Sequence, residues 1–165
     1  MKKTGFTLVE ILIVTITLAI LAAIAIPQFS TASIISKEST LKSDLVTLRN
    51  QLNLYRVQHG DRYPWEVVAP SSENMVKQLI GRTNDAGECM GASDDPSEYK
   101  FGPYLQKIPI NPFVQHAGGD GAAFEFGTGP PTSSSGTGGG WYVDTENGKV
   151  YAHSSTAEFP DHVKF

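Results

Sequence analysis

The sequence is short of several features, and each shortage excludes a class of protein. Cys89 is the only cysteine among 165 residues, so the chain forms no internal disulfide and is not a Cys-rich secreted scaffold. The 13 basic residues are outnumbered by 17 acidic ones. No basic cluster occurs, and this balance argues against nucleic acid as the main partner. The sequence contains no His-Glu-x-x-His, Cys-x-x-Cys or P-loop motif, so it predicts no enzyme.

Glycine and proline are nearly absent from the first third of the chain. Residues 6–59 contain no glycine and one proline, Pro27, whereas 15 of the 16 glycines and nine of the ten prolines lie at or after residue 60. Both residues destabilise helix interiors. The distribution predicts one long helix followed by a region that is mostly not helical.

The first half of the predicted helix is almost purely apolar, with Glu10 as the one charged residue in 6–29. As a helix this stretch would span about 36 Å, enough for a hydrocarbon core of ~30 Å. Lys2 and Lys3 precede it and predict a cytoplasmic N-terminus. A cleaved signal peptide ending near Ala23-Ile24-Ala25 is the alternative, but its apolar region would be only about 7–15 residues long.

Glu10 needs an explanation, because an acid near the middle of a membrane helix costs about 2.5–3.5 kcal/mol. One interpretation is that Glu10 lies near the cytoplasmic interface and stays partly hydrated. The other is that it pairs with an amine that appears later. Cleavage after Gly5 would give Phe6 a free amine one turn from Glu10, and this amine could pair within the chain or with a neighbour.

The segment Gly5-Phe6-Thr7-Leu8-Val9-Glu10, after a short basic leader and before a long apolar run, resembles the type IV prepilin class. This class contains type IV pilins and the pseudopilins of type II secretion. The resemblance implies cleavage between Gly5 and Phe6 by a prepilin peptidase, followed by N-methylation of Phe6. It also implies a role for Glu10 in subunit registration and a kink at Pro27.

The second half of the helix carries an apolar stripe at spacings of 7, 4, 3, 4 and 3, typical of one helix face. We expect this stripe to seat a small sheet. Gly60 and Pro64 are expected to end the helix. Residues 48–64 and 102–113 resemble the major pseudopilins. The stripe consists of Ile34, Leu41, Leu45, Leu48, Leu52 and Tyr55.

The remaining sequence predicts a short helix over 72–80, with Met75, Val76, Leu79 and Ile80 on one face, and a small antiparallel sheet. The Asn147-Gly148 pair is a strong hairpin signal, and the Gly/Thr/Pro/Ser stretch Gly127–Gly140 is expected to form a flexible loop. The predicted fold class is therefore α+β and pilin-like, with the long helix packed on the sheet. The predicted strands are Ala122–Phe126, Trp141–Val143 and Lys149–Ala152.

Metal ligands are weakly indicated. Major pseudopilins resemble one another in binding calcium in a C-terminal loop, which makes Asp120, Asp144 and Glu146 the candidates here. The loop with two aspartates that binds calcium in that family is not recognisable here. Solvent-exposed acidic residues of hairpin turns explain the same three positions, so no cofactor is expected. A second acid and histidine cluster could form from His153, Glu158, Asp161 and His162, although surface polar residues explain it equally.

These observations predict a non-enzymatic filament subunit with a leader (1–5), a transmembrane and assembly helix (6–29) and a periplasmic domain (30–165) that includes the amphipathic helix 30–59. The expected location is the inner membrane, with a single pass and the C-terminal domain in the periplasm. The expected partners are copies of itself, other pilins or pseudopilins, the prepilin peptidase and an inner-membrane assembly platform. A type II secretion pseudopilin is favoured. A type IV pilus subunit for adhesion, motility or DNA uptake, and a signal-anchored periplasmic enzyme, remain alternatives.

Overall fold

The computed structural model describes residues 5–114, 121–131 and 139–154. Contacts divide the chain into two units, Met1–Ser39 and Thr40–Phe165, each considered by itself. The predicted domain boundary at residue 30 stays a prediction. The elements are α1 (Leu8–Gln58), α2 (Pro64–Val67), α3 (Ser72–Ile80), β1 (Phe124–Gly127), β2 (Trp141–Asp144) and β3 (Lys149–Ala152).

Helix α1 is 51 residues long, which confirms the long helix predicted from the missing glycines. In the second unit its apolar stripe is buried at Leu41, Leu45, Leu48, Leu52 and Tyr55. Ile34 is exposed, so the prediction that the buried stripe starts there is wrong. Ile34 precedes the unit whose side chains form the core.

Gly60 ends α1 as predicted. It adopts a left-handed conformation with φ of 66°, which glycine reaches without steric cost. The following Asp61 also has a positive φ, and its N–H donates to the carbonyl of Arg56 at 2.9 Å. This bond satisfies one of the carbonyls left open by the last turn.

Helix α3 has the bounds that the sequence predicts, and the Ser71 hydroxyl caps it by accepting the Asn74 N–H at 3.2 Å. Met75 and Leu79 are buried, but Ile80 is exposed and Gln78 is buried in its place. The Gln78 amide N–H donates to the Gly87 carbonyl at 3.2 Å, which satisfies one of its buried polar groups. The short helix α2 was not predicted.

The three strands pair in the order β1-β2-β3, close to their predicted positions, but the sheet is mixed. β2 and β3 form the expected antiparallel hairpin, with Gly148 in a left-handed turn conformation. β1 and β2 are parallel, so the expectation of an entirely antiparallel sheet is wrong. The 13 residues between β1 and β2 are long enough for a crossover, which a parallel pair needs and a tight hairpin does not. Residues 132–138 of the predicted flexible loop lie outside the described residues.

The core of the second unit joins the α1 stripe to the sheet, as the sequence predicts. Trp141 of β2 is fully buried, and its indole N–H donates to the Pro109 carbonyl at 2.8 Å. Arg49 of α1 donates from Nε and Nη2 to the Val150 carbonyl of β3, at 3.0 and 2.7 Å. The same cluster contains Trp65, Met75, Leu79, Tyr104, Ile108, Phe113, Phe124, Val143, Val150 and Ala152.

Asn111 gives the 102–113 segment a structural role. This buried amide donates from Nδ2 to the Gly140 carbonyl at 2.8 Å and to the Ser154 hydroxyl at 2.9 Å. Its Oδ1 accepts the Phe113 N–H at 3.0 Å. Asn111 therefore connects this segment to the start of β2 and to the residues that follow β3.

Candidate functional site

Thr7 and Glu10 close the N-terminal end of α1 with reciprocal hydrogen bonds. The Glu10 N–H donates to Thr7 Oγ1 at 3.2 Å, and the Thr7 N–H donates to Glu10 Oε2 at 3.3 Å. The Thr7 hydroxyl also donates to Glu10 Oε2 at 3.3 Å. This arrangement is a capping box, which satisfies backbone donors that lack a partner in the first turn. Sequence reasoning missed the role of Thr7, although Thr three residues before Glu at the head of an apolar run is its known signal.

The capping box gives the Glu10 carboxylate donors within its own chain. The side chain is exposed, and an acid in the first helical turn also interacts favourably with the helix dipole. A single subunit therefore has a local reason to carry Glu10. The predicted pairing with a neighbour's amine stays a prediction, and it would have to compete with these bonds.

Gly5 and Phe6 lie before the first residue of α1 and are both exposed. A Cβ atom added at Gly5 would meet no atom within 4 Å. The fold of the subunit therefore does not require a small residue at position 5. Any such requirement would come from a protein that binds this segment. Cleavage after Gly5 and methylation of Phe6 stay predictions.

The first unit of the chain presents an almost continuous apolar surface. Its large aliphatic and aromatic side chains from residue 6 to residue 29 are at least half exposed. A patch of this size marks a surface that contacts a membrane or other proteins. Across 5–114, 121–131 and 139–154, α1 is the one helix long and apolar enough to cross a membrane. The side chains are Phe6, Leu8, Val9, Ile11, Leu12, Ile13, Val14, Ile16, Leu18, Ile20, Leu21, Ile24, Ile26 and Phe29.

The hydroxyl groups in this segment bond back to their own helix. Thr15 donates to the Leu12 carbonyl at 3.0 Å, and Thr17 donates to the Val14 carbonyl at 2.9 Å. Such bonds leave no hydroxyl in need of a water partner, as an apolar environment demands. Helix α1 continues through Pro27, whose carbonyl accepts the Thr31 hydroxyl at 3.2 Å. The bend expected at Pro27 stays a prediction.

The candidate calcium ligands do not gather in the described residues. Asp144 is fully buried and Glu146 is exposed, whereas Asp120 lies outside the described residues. Burial alone would raise the pKa of Asp144, but hydrogen bonds from the Asn147 side chain and from backbone N–H groups of Asn147, Gly129 and Glu146 outweigh it. The pKa of Asp144 therefore lies below its usual value.

The alternative cluster near the C-terminus is represented by His153 alone, because Glu158, Asp161 and His162 lie outside the described residues. His153 is buried, and its Nδ1 lies 3.1 Å from Oε2 of Glu125 on β1. Within the described part of the chain, no three His, Cys, Asp or Glu side chains come together to hold a metal ion.

Cys89 is half-buried, a placement that the sequence left open. Burial raises the pKa of its thiol, against a smaller opposing effect of Lys77. A raised pKa keeps the sulfur protonated near neutral pH and lowers its reactivity.

A long apolar N-terminal helix, an amphipathic second half and a small three-stranded sheet define a pilin-like α+β subunit, as predicted. The chain is similar to curated proteins named "Type II secretion system core protein G". It is 27% identical to the protein of Aeromonas hydrophila over 112 residues, which are 68% of each chain. It is 25% identical to that of Vibrio cholerae and 27% identical to that of Pseudomonas aeruginosa, over 68% of this chain and 66% and 69% of theirs.

These similarities confirm the resemblance to major pseudopilins. None of the three names denotes an enzyme. No family model matches the chain. No solved structure matches it either.

Proposed function

We propose that the chain is a structural subunit of a type II secretion pseudopilus. The observation that carries the proposal is the apolar half of α1, whose large side chains are at least half exposed, attached in sequence to a domain with its own buried core. Such a helix needs a membrane before assembly and neighbouring helices afterwards. The similarity to proteins named type II secretion core protein G supports the pseudopilin class over other filament subunits.

Before assembly the subunit is anchored in the inner membrane by residues 6–29. Lys2 and Lys3 hold the N-terminus in the cytoplasm, because basic residues flanking a membrane helix stay on the cytoplasmic side. The domain that begins with the amphipathic part of α1 then lies in the periplasm. The internally bonded hydroxyls of Thr15 and Thr17 suit this lipid environment.

Maturation removes residues 1–5. The peptide bond between Gly5 and Phe6 lies in an exposed segment before the helix, where a prepilin peptidase could reach it without unfolding α1. Cleavage leaves Phe6 with a free amine and Thr7 still in place to cap the helix. N-methylation of Phe6 would keep that amine basic.

During assembly the apolar helices of successive copies pack together, and the helices of other pseudopilins pack beside them. In that environment a carboxylate is costly unless it is paired. The amine of Phe6 from a neighbouring copy would neutralise Glu10 and set the vertical register of the two helices. The subunit itself carries no catalytic role.

The experiment is deletion of the gene in its host, with complementation by the wild-type chain. Proteins destined for the medium should accumulate in the periplasm while surface pili remain unchanged. Loss of surface pili with normal secretion would overturn the proposal and favour the type IV pilus alternative.

A further inference from the structure

Asp144, the last residue of β2, has a carboxylate that is completely enclosed. Its Oδ1 accepts the backbone N–H groups of Gly129, Glu146 and Asn147 at 2.9, 3.1 and 3.3 Å. Its Oδ2 accepts the side-chain amide of Asn147 at 2.8 Å. Both oxygens are therefore occupied by N–H donors.

These donors come from two separate connections of the domain. Gly129 belongs to the segment that leaves β1, whereas Glu146 and Asn147 form the turn between β2 and β3. Because β1 and β2 are parallel, their carboxyl-terminal ends lie side by side at one edge of the sheet, where Gly127 is in register with Asp144. The Thr145 N–H adds a bond to the Gly127 carbonyl at 2.9 Å. One carboxylate thus holds together the two loops at this edge.

Calcium does not fit this arrangement. Calcium requires about six to eight oxygen ligands, but the groups directed at the Asp144 oxygens are N–H groups with their positive ends inward. A cation bound there would displace those donors, and a buried donor without a partner is costly. Glu146, the second candidate ligand, contributes its backbone N–H and leaves its side chain exposed.

We propose that Asp144, through its N–H donors, holds these two loops together without the calcium ion that the family resemblance implies for a C-terminal loop. The proposal concerns the stability of the folded domain, so it stands or falls separately from the proposed role in secretion.

The test is thermal unfolding of the full-length protein in detergent micelles, followed by tryptophan fluorescence. Both tryptophans, Trp65 and Trp141, are buried in the core of this domain and report its unfolding, and Trp141 lies three residues before Asp144 on the same strand. The wild type and the variants Asp144→Asn and Glu146→Gln are each measured with excess EDTA and with millimolar calcium. Glu146→Gln is the matched control, because it removes a neighbouring exposed acid and keeps the backbone donor.

We expect the wild-type and Glu146→Gln Tm values to differ by less than about 1 °C between EDTA and calcium. Asp144→Asn should lower Tm by about 4 °C or more in both conditions, because a shift of that size corresponds to losing bonds of this kind in a domain of this length. A calcium-dependent rise that Asp144→Asn retains would assign the ion to other residues and support the proposal.

A rise of several degrees in the wild type that disappears in Asp144→Asn would overturn the proposal. If Asp144→Asn does not fold, the comparison of the wild type with Glu146→Gln tests whether calcium binds at this turn. A wild-type rise that Glu146→Gln reduces would then place calcium at this turn, and an unchanged Tm in both would exclude it there.

Discussion

The backbone N–H of Thr7 and the carboxylate of Glu10 are joined across the first turn of α1, while the backbone N–H of Glu10 is bonded to the Thr7 hydroxyl. Glu10 therefore has two separable properties in one subunit, a capping geometry and a charge. The capping geometry acts within the chain. The charge is the property that the proposed assembly step uses.

Glu10→Gln separates the two properties, because glutamine completes a capping box as well as glutamate does. We expect this variant to insert in the membrane at least as well as the wild type and to assemble poorly. Thr7→Val should retain the charge and lose about 0.5–2 kcal/mol of helix capping. We therefore expect this variant to assemble into filaments although the first turn of its helix is less stable. Thr7→Ser, which keeps the hydroxyl, is the control. The measurement is filament yield by electron microscopy together with subunit content of the membrane fraction. Normal filaments from Glu10→Gln would leave Glu10 as a helix cap alone.

The buried stripe of α1 predicts different effects for two substitutions one half-turn apart. In a fragment that begins at residue 30, which we expect to be soluble, monomeric and folded, Leu48→Asp should cost more than about 4 kcal/mol, because it buries an unpaired charge. Val46→Asp should cost less than about 0.5 kcal/mol, because Val46 is exposed whereas Leu48 is fully buried. Circular dichroism melts of the two variants decide the matter. Equal melting temperatures, or an insoluble parent fragment, would show that this helix face does not seat the sheet.

The lowered pKa of Asp144 predicts a defined pH dependence. A carboxylate whose pKa is lower in the folded than in the unfolded chain contributes stability above its unfolded pKa of about 3.9, and this contribution is lost as the pH falls through the folded value. Asp144→Asn should therefore cost about 1–3 kcal/mol near pH 7, and the difference from the wild type should shrink below about pH 4. Urea unfolding at pH 7, 5 and 3 measures it. A difference that is constant across this range would indicate that the charge of Asp144 is not involved.

Periodic and local signals predicted much of this structure. The spacing of Leu41, Leu45 and Leu48 specifies one helix face whatever packs against it, and the Asn147-Gly148 pair specifies its turn through local backbone preference. The direction of β1 against β2 was not predictable in this way, because alternation along a strand is the same for parallel and antiparallel pairing. Only the length of the connection favoured a crossover.

Long-range hydrogen bonds account for the other differences. Gln78 lies outside the predicted apolar face of α3 but is buried, and its side-chain amide donates to the carbonyl of Gly87, nine residues further along the chain. The role of Asp144 depends on Gly129, fifteen residues earlier, which no spacing rule connects to it. At the candidate assembly site the motif Gly5-Phe6 and Glu10 was recognisable by resemblance, whereas the capping role of Thr7 was missed although its spacing from Glu10 is the signal of a capping box.

The proposed function requires that this chain be cleaved between Gly5 and Phe6 and that it assemble through the helix that follows. Intact-mass and N-terminal peptide analysis of the protein purified from host membranes tests it directly. The mature chain should start at N-methylated Phe6. Gly5→Ala should slow cleavage slightly, although the Cβ atom it adds meets no atom of the subunit within 4 Å, and Gly5→Leu should block cleavage. A mature chain that starts at Ile26, or one that retains Met1, would contradict it.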